Sequence, residues 1–143
     1  MSSKQDVLAA SKAFYSALND MAHGNASAMA AVWAQSDSAT AQHPIGGRDL
    51  GYDEIIASFA KVAEIAGGGE IRIGDQTVEA GADMAVETGT EIGSLIIVGH
   101  EATLHHRVTN VYRKEDGAWK LTHHHTDLSP RMLEILDRLT EAA

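Results

Sequence analysis

One hairpin limits what this chain can fold into more than any other feature. Val111 to His125 reads as a strand, a tight turn at Asp116-Gly117, and a second strand ending in His123-His124-His125. Asp-Gly supplies the positive φ that joins antiparallel strands with their natural twist, and the flanks are rich in β-branched and aromatic residues. Strand side chains alternate, so two of the three histidines must share a face. Trp119, Leu121, His123 and His125 form the bulkier, more apolar set and are expected inward. Lys120, Thr122, His124 and Thr126 then face outward. A bulge in this strand would reverse that parity.

Helical signals occupy the first third of the chain. From Ser3 to about Met21 an apolar stripe runs through Val7, Leu8, Ala10, Phe14, Leu18 and Met21, with Ser2 or Ser3 as cap. His23-Gly24-Asn25 stops it. A second helix is expected over 26–34, an extended segment over 38–43, a turn at Pro44-Ile45-Gly46-Gly47, and a third helix over 53–66 closed by Gly67-Gly68-Gly69. Strands are then expected over 70–80, 84–91, 95–113, with Gly99 as a candidate break, and 118–126. Ser129-Pro130 opens a final helix whose Met132, Leu133, Leu136 and Leu139 share one side. Helices first and antiparallel strands after them predict an α+β fold, with helices packed on one face of a curved antiparallel sheet.

The chain has 143 residues, enough for one domain with a proper core. Its formal charge of -9 offers no basic surface for nucleic acid or for anionic membranes. No cysteine is present, so disulfides and thiolate chemistry are excluded. No apolar run approaches the ~20 residues of a membrane span, and a cytoplasmic location is expected.

The blocks Phe14-Tyr15-Ser16-Ala17-Leu18-Asn19, Met29-Ala30-Ala31-Val32-Trp33-Ala34, His43-Pro44-Ile45-Gly46-Gly47 and Asp116-Gly117-Ala118-Trp119-Lys120-Leu121, in that order and spacing, carry a resemblance. The chain resembles a SnoaL-like or ketosteroid-isomerase-like member of the nuclear transport factor 2 (NTF2-like) superfamily over about residues 5–127. This implies a cone fold with a pocket at its wide end and a homodimer. Residues 1–128 would be the domain and 129–143 its C-terminal helical extension, packed over the pocket mouth or on a partner subunit. The fold alone does not fix a function, because it hosts isomerases, cyclases, dehydratases and non-catalytic modules.

Three histidines are candidate catalytic residues: His43, His123 and His125. In the steroid isomerases that share the proline turn, the residue before the proline is the aspartate that moves the proton. His43 stands there, and imidazole suits proton transfer near neutral pH. Related SnoaL-like sequences often keep histidines at the places of His123 and His125. The isomerase's helix tyrosine corresponds to Phe14, with Tyr15 one position along, and its strand aspartate falls at about Val108. Without those two oxyanion donors a true ketosteroid isomerase is not expected. Tyr15, Phe14, Trp33, Phe59, Val108 and Asn110 are candidate substrate contacts. His100 and His106 are read as surface strand positions, and Arg107 and Asn110 as facing opposite sides.

The expected function is His-assisted proton transfer on a small, mostly apolar organic molecule, of isomerase, cyclase or dehydratase type. The first alternative is a non-catalytic binding or oligomerisation module like the calcium/calmodulin-dependent kinase association domain, the second a histidine-ligated metal protein. No helical His-x-x-x-His spacing exists, and neither metal nor cofactor is assigned.

Overall fold

The computed structural model describes residues 3–142. In chain order the elements are α1 (Ser3–Ala22), α2 (Met29–Val32), β1 (Thr40–Gln42), β2 (Arg48–Leu50), α3 (Tyr52–Ile65), β3 (Ala66–Ala80), β4 (Met84–Ile97), β5 (His100–Glu115), β6 (Ala118–Thr126) and α4 (Pro130–Ala142). One six-stranded sheet runs β2-β1-β6-β5-β4-β3. It is mixed rather than purely antiparallel, because β1 lies parallel to β6. Two strands that far apart in sequence need no hairpin, so either direction was open to them.

Helix α1 buries Val7, Ser11, Phe14, Leu18 and Met21 at helical spacing, and α3 buries Ile55, Phe59 and Ala63 one turn apart. Of the two serines expected to cap α1, Ser2 lies outside the described residues and Ser3 is its first helical residue. Helix α2 is shorter than expected. Trp33 leaves it in an extended conformation to bridge Leu121, and the Ala34 amide donates to the Leu121 carbonyl at 2.9 Å. In α4 the Ser129 hydroxyl accepts from the Met132 amide, and the helix buries Met132 and Ile135 most deeply.

The glycine run after α3 is strand, not a stop. Residues Gly67-Gly68-Gly69 lie in the first turn-free stretch of β3, and Gly69 (φ +127°) crosses so close to β4 that a Cβ would collide with the Ser94 carbonyl oxygen. Gly93 (φ +144°) mirrors it against the Glu70 carbonyl. These contacts and the β3 bulges bend the sheet around the helices. Strand β4 runs on to Ile97, where Val98-Gly99, both at positive φ, turn the chain into β5. Asp116-Gly117 turns β5 into β6 in the same way. The core lies between the helices and the concave sheet face. Among the described residues no helix is long and apolar enough to cross a membrane.

Candidate functional site

The decisive local event lies in β6. Its register with β5 shifts between the pairs Val111–His123 and Tyr112–Leu121, so Thr122 is an extra residue. Trp119 and Leu121 point inward before this bulge. Beyond it His124 and Thr126 are buried, while His123 is half-buried and His125 exposed on the far face. The expected inward placement of His123 and His125 is therefore corrected: the bulge inverts the alternation and delivers His124. His123 instead meets Thr40 (Nδ1 to Oγ1, 2.6 Å), and His125 Nε2 accepts from Gln42 Nε2 at 3.4 Å. Burial and the neighbouring His125 hold His123 below the usual histidine range.

His124 lines a cavity of about 140 Å³ under the sheet. Its apolar wall comes from α1 (Leu18, Met21), α3 (Phe59, Val62), the strands (Ile71, Leu95, Leu104) and Met132 of α4. His43, Asp49, Ser58, Glu91 and His106 supply the remaining polar groups. The turn after His43, with Gly46 and Gly47 at positive φ, folds β2 back on β1 and brings Asp49 beside His43. His43 Nε2 donates to Asp49 Oδ2 at 2.7 Å, and its ring stands edge-on to Phe59, 5.2 Å between centroids. The His43 and His124 rings are 6.4 Å apart.

Behind this wall lies a buried polar network across β4 and β5. Glu87 faces Asn110 and Glu91 faces His106 in the ladder, all four on the concave side. His106 Nε2 donates to Glu91 Oε1 at 2.8 Å, and the Tyr15 hydroxyl donates to Glu91 Oε2 at 2.9 Å. The Asn110 amide donates to the Tyr15 oxygen (3.1 Å) and to Glu87 (2.9 Å), while its carbonyl accepts from His124 Nδ1 at 2.6 Å. Burial alone would raise Glu91, but the His106 bond, the nearby imidazoles and Tyr15 bring it below the usual carboxylate range. Burial pushes the Tyr15 hydroxyl far up, reinforced by Glu91. Burial also pulls His124 down to about 4, against the opposing pull of Glu91. At neutral pH its ring is uncharged, with Nδ1 protonated towards Asn110 and Nε2 carrying the lone pair.

Of the residues singled out from the sequence, His43 and Phe59 line the cavity. Phe14, Trp33 and Val108 are packed in the core, and Phe14 sits edge-on to His124 at 5.1 Å. Tyr15 and Asn110 stand one layer behind the wall, holding Glu91 and His124, and do not line the cavity. His106, expected on the surface, is buried in the wall, and its Nδ1 has no hydrogen-bond partner among the described residues. His100 and His105 are exposed, and Arg107 points outward to Asp127 in a paired contact of 2.8 and 3.1 Å. Asp49, Glu87, Glu91 and His124 were missed. The two glutamates carried a signal, because they share strand parity with Ala85, Leu95 and Ile97. Among the described residues no three His, Asp or Glu side chains are placed to hold a metal ion.

Fold and site together define an α+β cone protein with a histidine-lined hollow. The chain belongs to the SnoaL-like domain family, whose model matches residues 7–129, within the NTF2-like superfamily. Similar solved structures include a candidate dehydratase of the NTF2-like family from Streptomyces avermitilis, 25% identical with a TM-score of 0.76 over 87% of this chain and 94% of that one. A candidate calcium/calmodulin-dependent protein kinase type II association domain from Thiobacillus denitrificans is 27% identical, with a TM-score of 0.68 over 84% and 92%. An NTF2-like superfamily protein from Salmonella enterica serovar Typhimurium is 14% identical, with a TM-score of 0.76 over 87% and 89%. Among curated proteins none matches significantly.

Proposed function

We propose that this chain is an enzyme in which His43 moves a proton on a small, mostly apolar molecule, and that the reaction is a dehydration. The observation that carries this reading is the His43–Asp49 pair, 2.7 Å apart at the edge of an apolar hollow. With Nε2 donating to the carboxylate, uncharged His43 keeps its lone pair on Nδ1. Asp49 then stabilises the imidazolium that forms once a proton arrives.

For a β-hydroxy ketone, His43 Nδ1 takes the proton from the carbon beside the carbonyl. The carbon–carbon double bond forms as the C–O bond breaks, and the imidazolium returns its proton to the departing hydroxide, releasing water. Isomerisation through a long-lived enolate is less well served, because neutral His124 offers an acceptor where an oxyanion needs donors. The 25% identity to a candidate dehydratase supports the same choice. In this reading His124 and His106, and not His123 and His125, orient the substrate.

The test uses 3-hydroxycyclohexanone, with formation of the enone followed by its ultraviolet absorbance. Wild type is expected to accelerate the reaction, His43→Gln to lose about 10²–10⁴-fold, and Asp49→Asn to lose less with KM held. Undiminished turnover by His43→Gln would remove its role.

A second reading, a homo-oligomeric binding module in the cytoplasm, is favoured by the 27% identity to a candidate association domain. Ligand binding without turnover, together with a stable oligomer in sedimentation, would select it. A homodimer is compatible with both readings.

A further inference from the structure

Apart from one hydroxyl, the polar groups of the cavity wall are of one kind. Each of the three imidazoles spends one nitrogen as a donor to a protein oxygen: His43 on Asp49, His106 on Glu91, His124 on Asn110. In an uncharged ring the other nitrogen must then accept. Asp49 and Glu91 are carboxylates and add only acceptors, and Ser58 contributes the one hydroxyl. No Lys or Arg lines the cavity among the described residues. The tautomer of His124 is set from behind, since Asn110 cannot turn its amide around without pointing N–H at N–H and losing its bonds to Glu87 and Tyr15. The hollow, about 140 Å³, is close to the ~150 Å³ of a protein cavity known to hold benzene.

We infer that the cavity takes an uncharged, single-ring molecule that donates a hydroxyl hydrogen to His124 Nε2, and that it rejects carboxylates and phosphates. This rests on the reading of the cavity as the reactive site and narrows its substrate class. An anion entering would meet two carboxylates with no cation to offset them or to replace its lost hydration. A ring without a donor would leave the His124 lone pair unpaired against an apolar wall.

Three probes of nearly equal size separate these terms: phenol, anisole and benzoate, titrated calorimetrically near pH 7.5. Phenol should bind at least about tenfold more tightly than anisole, the weight of one hydrogen bond, and benzoate should not saturate. Anisole within about twofold of phenol, benzoate binding as tightly as phenol, or no saturation by phenol at roughly 10 mM would each overturn the proposal. Long-range proton–nitrogen NMR supplies a second reading that needs no variant. Free protein should show His124 protonated at Nδ1 and bare at Nε2, with the bare signal moving as phenol is added. The opposite tautomer would refute the acceptor wall. Failure of the dehydration assay while phenol outbinds anisole would sink the reaction and leave the ligand class standing. Turnover alongside equal binding of phenol and anisole would do the reverse.

Discussion

Glu87 is among the most tightly held of the described side chains. Fully buried, it accepts from Asn110 Nδ2 (2.9 Å) and Tyr112 Oη (2.8 Å) on one oxygen, and from Ser11 Oγ and Gln76 Nε2 (both 2.6 Å) on the other. Four donors aimed at two oxygens suit a carboxylate and nothing else of that shape. Glu87→Gln would turn an N–H₂ group against one pair of donors, and each donor left without an acceptor costs about 1–3 kcal/mol. We therefore expect a loss of about 2–4 kcal/mol in urea unfolding, with the slope of the transition unchanged. A loss under about 0.5 kcal/mol would mean the network rearranges freely. Such a site is hard to find in sequence. Ser11, Gln76, Glu87, Asn110 and Tyr112 come from four elements and meet only once the sheet has bent. His43 was legible because it adjoins a recognisable turn. Asp49, its partner, became visible only when that turn's geometry folded β2 back.

At the level of elements, the hairpin at Asp116-Gly117 and the limits of β6 were readable because turn chemistry and alternation are local properties. The assignment of faces failed at one residue, Thr122. A bulge leaves no distinct mark in a run of strand-forming residues, and one inserted position exchanges His123 and His125 for His124. The glycines at 67–69 misled for a related reason. Their conformational freedom serves a close crossing of two strands, and a helix stop would look the same in sequence. Helix α4 began where Ser129-Pro130 indicated, yet Ile135, not Leu133, is its most buried leucine-sized side chain. The Ser129 amide donates to the Pro44 carbonyl at 2.8 Å, which ties the start of α4 to the turn beside His43. Met132, one turn on, completes the cavity wall. Ile135→Ala should cost about 2–4 kcal/mol in urea unfolding, the usual range for a buried aliphatic side chain. A cost below about 0.5 kcal/mol would show that α4 is not part of the cooperative unit. Met132→Ala should widen the hollow and shift binding towards larger rings, such as naphthol over phenol. An unchanged preference would place Met132 outside the wall.

For the whole molecule, the buried imidazole implies a definite dependence of stability on pH. His124 titrates near 4 in the folded state and near 6.5 when unfolded, so between these values the unfolded chain binds more protons. Its contribution is complete above about pH 6.5 and is lost as pH falls towards 4, amounting to about 3 kcal/mol over the full window. Half-buried His123, also lowered, acts with the same sign and less force because solvent screens it. Glu91, depressed in the folded state, adds a loss that begins only below the unfolded carboxylate range. Against these runs the net charge of -9, since neutralising surface carboxylates in acid relieves self-repulsion and favours the compact state. The two effects separate in a comparison of wild type with His124→Gln, which keeps every surface charge and removes the titrating ring. Between about pH 7.5 and 5, wild type should lose about 2 kcal/mol more than the variant in urea unfolding, even if the variant starts lower. Parallel curves would mean that the ring is already hydrated and charged in the folded protein, and the acceptor face that His124 turns to the cavity would then be a donor.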